Sequence, residues 1–252
     1  MTVGMPMVVL FTDFGVGSPY VGQMKAVLYH ELGGAYPLLE LVSDAPRCDP
    51  RASAYLLAAY QEEFPVGTVW LCVVDPGVGG TRRGALVEAD GRWLVGPDNG
   101  LLEVVAHRAR SVQWWDILWE PEHLSATFHG RDLFAPVAAQ IARGNPVPAQ
   151  EAALHERLRM GWPEELAEVI YRDSFGNAMT GLRAAGMPAG AHLQVGGRIL
   201  EQARTFSDVA AGTAFWYENA NGLVELAVNQ GSAAAELGLT VGTPVRVFTP
   251  GR

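Results

Sequence analysis

Lysine is almost missing from this chain. Lys25 is the only one, and the combined Lys+Arg total of 18 leaves seventeen arginines. No basic stretch occurs, and the formal net charge over the 252 residues is −9. That balance argues against nucleic acid or an anionic membrane as partner and is compatible with a cationic ligand. Cysteine is scarce as well. Cys48 and Cys72 are not spaced as a CxxC pair and cannot build a disulfide framework, so a reducing, cytoplasmic setting is expected. Long apolar runs are lacking too. The opening segment has no basic flank, and its apolar run is too short for a signal or a spanning helix, so it reads as a first buried strand.

Several catalytic signatures are also missing. There is no GxxxxGK[ST] phosphate loop, and Gly77-Val78-Gly79-Gly80 lacks the GxGxxG spacing that opens a helix after a strand. No HExxH, CxxC or GxSxG pattern occurs, and His123 and His129, six apart, fit no single helical face. Neither a metal nor a cofactor is expected.

What is present is a folded chain. Hydrophobic residues make up 49% and charged residues 18%, outside the range of disordered sequences. The length allows one large domain or two modest ones. The first part alternates strand-like and helix-like segments. Residues 7–11, 38–42 and 69–74 read as strands; 20–31, 52–64 and 133–143 read as helices; residues 85–89 and 92–95 flank Asp90-Gly91 as a hairpin. On the first helix, Tyr20, Met24, Val27 and Leu28 share one side. Beyond about 149–163 the pattern changes to short β-like runs at 168–172, 192–195, 198–200, 214–217, 223–228 and 244–248. Gly196-Gly197 and Asn221-Gly222 mark tight turns among them. The fold class expected is α/β: an N-terminal α/β sandwich with a mostly parallel sheet over residues 1–155, then a smaller all-β, barrel-like domain over 165–252.

Polar residues gather just past strand ends, where open α/β sheets place their ligand crevice. Asp13, in Thr12-Asp13-Phe14-Gly15, is either a helix cap or Asx-turn residue or a ligand carboxylate. Asp75, in Val74-Asp75-Pro76-Gly77, is either part of a Pro-Gly turn or a functional acid. Gly96-Pro97-Asp98-Asn99-Gly100 reads as a structural turn. Thr127-Phe128-His129-Gly130-Arg131-Asp132 concentrates an imidazole, a guanidinium and a carboxylate in a loop before an apolar helix. A histidine beside a strand-end carboxylate is the equipment needed to hold and deprotonate water.

In chain order, TDFG with PYVGQMKAV, VVDPGVGGTRR, GPDNGL, TFHGRDLFAP, DSFGN, TFSDVAAG and YENANGLVELAVNQGSAA resemble the S-adenosyl-L-methionine hydrolases (adenosine-forming), also called SAM hydroxide adenosyltransferases and related to the fluorinase and chlorinase. The resemblance runs from Thr12 to about Leu239. It implies hydrolysis of S-adenosyl-L-methionine at ribose C5′. It also implies a homotrimer, with active sites between the large domain of one subunit and the barrel of its neighbour. It assigns the ribose hydroxyls to Asp13, the adenine edge to Asn177, and an apolar face for the base to Phe206. Asp173, Asn219, Glu225 and the backbone at Ala220 become candidates for the methionine end, and Tyr217 for the same cleft. Asp75, Arg82 and His129 match the family's water-handling group, with the proton acceptor open between Asp75 and His129.

Halogenating relatives carry strings resembling TYPATG and FYSRE at these places. The VDPGVG and FHGRD found here put an anionic carboxylate beside the nucleophile, which repels halide. Halide-dependent formation of 5′-halo-5′-deoxyadenosine and non-enzymatic adenosyl binding are therefore the rival expectations. Three positions depart from the family pattern: Ser18 where Asp is frequent, Ala220 where Ser is common, and Cys48 in place of an aromatic.

Overall fold

The computed structural model describes residues 6–158 and 161–250, and the chain divides into two compact units, Met1–Met160 and Gly161–Arg252. Residues 1–5, and 159–160 within the expected change of character, lie outside the described residues.

In the first unit the strands are β1 (Val8–Thr12), β2 (Leu38–Val42), β3 (Val69–Val73), β4 (Gly84–Ala89), β5 (Arg92–Pro97), β6 (Val112–Ile117) and β7 (Ala149–Glu151). The helices are α1 (Pro19–Glu31), α2 (Pro50–Gln61), α3 (Glu103–Arg108) and α4 (Ala135–Ala142). One sheet runs β2-β1-β3-β5-β4-β6-β7. β2, β1, β3 and β5 pair in parallel; β4 is antiparallel to β5 and to β6, and β7 is antiparallel to β6. β6 therefore runs with the parallel group again, and the sheet is mostly parallel. β1 and β3 are buried at every position, as expected of central strands covered on both faces. α1 packs with α4, and α2 with α3.

Local chemistry explains the helix starts. Ser18 caps α1 by accepting the Tyr20 N–H, and Asp49 caps α2 by accepting the Ala52 N–H at 2.9 Å; each is followed by proline at the first helical position. Two expectations need correction. Tyr20 is not on the buried side of α1: it is 51% exposed, because Val21, Met24 and Leu28 take the inward positions. The helix expected at 133–143 begins instead as a π-helical turn, Gly130–Phe134, before α4. The elements α3, β6 and β7 were not apparent from periodicity, being short and bounded by irregular sequence.

The second unit is an all-β, barrel-like body. Its strands are β8 (Leu166–Arg172), β9 (Ala178–Arg183), β10 (His192–Val195), β11 (Arg198–Gln202), β12 (Ala214–Glu218), β13 (Leu223–Val228) and β14 (Arg246–Phe248), with a one-turn helix α5 (Ala233–Glu236). The sheet order is β14-β10-β11-β12-β13-β9-β8. The segment leading into β14 returns to the β8 edge, where Val169 N–H donates to Thr243 O at 2.9 Å and Val245 N–H to Ala167 O at 2.9 Å. These bonds curl the sheet onto itself and satisfy an edge that would otherwise stay open. Its interior is filled by Val169, Leu193, Leu200, Trp216, Val224 and Leu226, among others.

Candidate active site

The chain goes from β1 to β2 on one side and then to β3 on the other, so the strand order reverses between β1 and β3. In a parallel sheet that switch point opens a crevice at the strand carboxyl ends. Thr12 is in register with Val73. Asp13, one residue past β1, and Asp75, two residues past β3, therefore emerge side by side.

Asp13 does not cap a helix, since Ser18 and Asp49 hold those places. Its carboxylate instead accepts the Cys48 N–H at 2.8 Å. Cys48 takes the left-handed conformation, with φ of 56°. Burial raises the Asp13 carboxyl above its ordinary value; the Cys48 N–H bond and the Arg47 charge oppose that rise, and the Asp75 charge adds to it.

Asp75, Arg82 and His129 come together. Arg82 Nε donates to Asp75 Oδ1 at 2.8 Å, and Nη2 bonds Asp75 Oδ2. The pair is part-buried, with side-chain exposures of 12% for Arg82 and 4% for Asp75. Arg82 Nη2 also lies 3.1 Å from His129 Nδ1. A guanidinium only donates, so Nδ1 is the acceptor and the neutral ring carries its hydrogen on Nε2. Burial lowers the His129 pKa from its ordinary 6.5, and the Arg82 charge lowers it further; Asp75 and Asp132 oppose this. Phe134 covers the guanidinium, its ring centroid 5.3 Å from Cζ.

Local sequence explains this convergence. Gly79 has φ of 80°, and a Cβ there would lie 2.4 Å from Ala126 O. Only glycine lets the 76–80 turn press against the loop that carries His129. Within Phe128-His129-Gly130-Arg131-Asp132 the roles divide. His129 turns to Asp75 and Arg82, while Arg131 and Asp132 pair with each other, Nε to Oδ1 at 2.6 Å. Asp132 also accepts the Ser125 N–H at 3.0 Å, and Arg131 lies 5.1 Å over the Phe128 ring. Asn99 is structural, as expected: its Nδ2 donates to Val74 O at 2.8 Å and so holds the backbone just before Asp75.

A cavity of about 290 Å³ sits over these groups, lined by Asp13, Asp75, His129, Phe14, Tyr20 and Phe128, with Arg47 and Cys48 also on the wall. The three rings pack together with centroids 5.3–5.9 Å apart. Arg82 is not among the lining residues and supports Asp75 and His129 from behind. Sequence reasoning missed Phe14, Tyr20, Phe128 and Arg47 as lining groups; their proximity to Asp13 and His129 along the chain was the available signal.

The second unit has its own cavity, of about 690 Å³, lined by Asp173, Phe175, Asn177, Phe206, Tyr217 and Gln230, with Ser232 beside them. Asp173 organises the Asp173–Asn177 turn. Its Oδ1 accepts the N–H groups of Phe175 (3.0 Å) and Asn177 (2.8 Å), and its Oδ2 accepts Asn177 Nδ2 at 3.0 Å. That last bond fixes which way the Asn177 amide faces. Gly176, with φ of 86°, is held so close to Ser232 that a Cβ would meet its Oγ at 2.1 Å. Phe206 packs edge-on to Phe215 and Tyr217 at 5.2 and 5.3 Å.

Asn219 and Glu225 are buried and do not line the cavity. Asn219 Nδ2 donates to Glu225 Oε2 at 2.7 Å, and its Oδ1 accepts the Asn221 and Leu223 N–H groups at 3.0 Å. Burial raises the Glu225 carboxyl, against bonds from Asn219 and Tyr217 that lower it. Burial and the Glu225 charge push the Tyr217 hydroxyl up. Ala220 is exposed in the turn between β12 and β13. Phe175, Gln230 and Ser232 were not singled out from sequence; Gln230 takes a left-handed φ of 58°. Among the described residues, no group of three or more His, Cys, Asp or Glu side chains is placed to hold a metal, and no helix is long and apolar enough to cross a membrane.

The chain thus combines an α/β unit carrying a carboxylate–guanidinium–imidazole group at its switch point with a barrel-like unit carrying an aromatic and amide cavity. Residues 8–151 match the SAM hydroxide adenosyltransferase N-terminal domain, and residues 167–246 match the C-terminal domain. The chain belongs to the SAM hydroxide adenosyltransferase family.

Relatives include the (R)-S-adenosyl-L-methionine hydrolase of Thermus thermophilus, 41% identical with 96% of this chain and 99% of the relative covered. That of Salinispora arenicola is 38% identical with 96% and 97% covered. A fluorinase of Actinopolyspora mzabensis is 24% identical with 96% and 97% covered. A solved structure of a conserved protein from Thermotoga maritima superposes with a TM-score of 0.83 at 31% identity, covering 96% of this chain and 99% of that one.

Proposed function

We propose that this protein hydrolyses S-adenosyl-L-methionine at ribose C5′, giving adenosine, L-methionine and a proton. The observation that carries the reading is the hydrogen-bonded Asp75–Arg82–His129 group at the β1/β3 switch point, whose Asp75 and His129 share one cavity with Asp13. In the relatives' name, L already fixes the methionine α-carbon, so (R) designates the sulfonium sulfur; that epimer is the proposed substrate.

The sulfonium leaves as a neutral thioether, so no group need protonate it. The protein's task is to place water in line with the C5′–S bond and take its proton. Alignment of this kind is worth about 7–11 kcal/mol at its best. With Nδ1 occupied by Arg82, His129 presents Nε2–H and holds the water oxygen as a donor. Asp75 is left as the proton acceptor. As the C5′–O bond forms, the electron pair of the C5′–S bond passes to sulfur and the attacking water becomes strongly acidic, so a carboxylate suffices as base. The reaction as proposed draws on no metal or cofactor.

Asp13 takes the ribose diol, for which two acceptor oxygens are suited. Asn177 reads the adenine edge with its amide fixed by Asp173, and Phe206 and Tyr217 give the base an apolar wall. Asp173 supplies negative charge for the methionine ammonium, while Asn219, backed by the buried Glu225, holds the turn that presents the Ala220 backbone. Ser18 in this reading serves α1 as its cap. A homotrimer whose subunits share each active site, and a cytoplasmic location, belong to the same proposal.

The test is incubation with the two sulfonium epimers separately, followed by chromatography. Adenosine and methionine should form in equal amounts from the (R) epimer. Their absence above the no-enzyme control, from folded protein, would overturn the reading.

A further inference from the structure

Arg82 and Arg83 are adjacent just before β4, and their side chains go to different partners. Arg82 goes to Asp75 and His129. Arg83 goes to Asp116 on β6, which the ladder places opposite Ala85. Asp116 is 2% exposed, and its Oδ2 also accepts Arg157 Nη2 at 2.6 Å. Arg157 Nη1 in turn lies 4.0 Å from Asp98.

This ion cluster is outside the cavity, yet one atom joins it to the water-handling group. The Arg83 carbonyl accepts Arg82 Nη1 at 3.2 Å and the Asp98 N–H at 3.0 Å. Asp75 and His129 hold the Nε and Nη2 edge of the Arg82 guanidinium and leave Nη1 to another partner. The bond from Nη1 to Arg83 O adds a backbone anchor, and the Arg83 side chain is itself tied to Asp116 on β6.

We propose that Arg83 and Asp116 are positioning residues for the hydrolysis: the buried Asp116 carboxylate fixes Arg83, and the Arg83 carbonyl sets the orientation of the Arg82 guanidinium against Asp75 and His129. The inference rests on the assignment of Arg82 made above. Neither residue touches substrate. Both act on the alignment of the attacking water, where displacements of about 1 Å cost on the order of a hundredfold in rate.

The test compares Arg83→Met, Arg83→Lys and Asp116→Asn with the native chain, measuring kcat, KM, the pH–rate profile and Tm. Arg83→Met carries it, because the Arg83 side chain is 58% exposed and Asp116 keeps Arg157 as partner. Asp116→Asn leaves two guanidiniums without their carboxylate and puts folding itself at risk. For Arg83→Met, kcat should fall by about ten- to a hundredfold with KM within about threefold. The acidic limb of the pH profile should move up, because a displaced Arg82 opposes protonation of His129 less, while burial still holds its pKa below the ordinary value. Arg83→Lys, which keeps the charge on Asp116, should recover most of the loss.

A folded Arg83→Met protein with native kcat and pH profile overturns the inference, even if its Tm is lower. Arg82→Met separates the two levels. Loss of turnover there with native turnover in Arg83→Met removes only the positioning role; native turnover in Arg82→Met removes the assignment on which it rests.

Discussion

Replacing Asp75 by asparagine preserves shape and removes one charge, and its consequences can be worked out atom by atom. Both Asp75 oxygens accept from Arg82, Oδ1 from Nε and Oδ2 from Nη2. An asparagine offers one oxygen and one NH₂, so one Arg82 donor must face another donor. The pair is part-buried, and breaking a buried pair from one side costs about 3–5 kcal/mol, which is the upper bound here. At about 2–4 °C per kcal/mol for a chain of this size, Tm should fall by up to about 6–20 °C.

The rate effect is separate. Removing the proton acceptor costs about 10²–10⁴-fold, equal to about 2.7–5.4 kcal/mol of transition-state stabilisation. Asp13, Asn177 and Phe206 are untouched, so KM should stay within a few-fold. The assay is adenosine release under single-turnover conditions, run well below the variant's Tm, with binding followed by calorimetry. A folded Asp75→Asn protein that turns over within about threefold of native would refute the assignment of Asp75 as acceptor.

Further expectations follow from the same geometry. Activity should fall as pH drops through a His129 pKa that lies below 6.5, because an imidazolium would point Nδ1–H at Arg82; a pH–rate profile with its acidic limb above 6.5 would contradict this. The same depressed pKa makes the unfolded state bind more protons between 6.5 and the folded value, so stability should decline as pH falls through that window and level off below it, as pH-dependent denaturant titration would show. Asp173→Ala removes three bonds that hold the Asn177 turn; it should weaken adenosine binding by about tenfold, or 1.4 kcal/mol, in calorimetry, with kcat reduced much less. Gly79→Ala combines a left-handed φ with a contact of 2.4 Å on Ala126 O; it should cost at least about 1–3 kcal/mol of stability and lower kcat, read from melting curves and the adenosine assay.

Much of this was legible in the sequence because pattern and position agreed. Val8–Thr12 and Val69–Val73 are short apolar runs ending in an acid, so strand and site were read together. The β10 and β13 spans could be read as short β-like runs beside the Gly196-Gly197 and Asn221-Gly222 turns. What escaped depended on tertiary context. The sequence 178–183 carries a glycine in mid-run and does not read as a strand, yet β9 is paired on both sides, with β13 and with β8. The π turn at Gly130–Phe134 shifts the register of the following helix, which no periodicity records in so few residues. Asp13 looked as much like a cap as a ligand until Ser18 and Asp49 were seen to hold the caps. The choice between Asp75 and His129 as base depended on one contact, Arg82 Nη2 to His129 Nδ1, across 47 positions of sequence separation.

The central claim is that water, held between Asp75 and His129, attacks C5′ and displaces methionine. Running the reaction in water enriched in heavy oxygen tests it most directly, with mass spectrometry of both products. The account predicts one heavy oxygen in adenosine, on the 5′-hydroxyl, and none in methionine. Adenosine released without the label, or label in the methionine instead, would contradict attack at C5′.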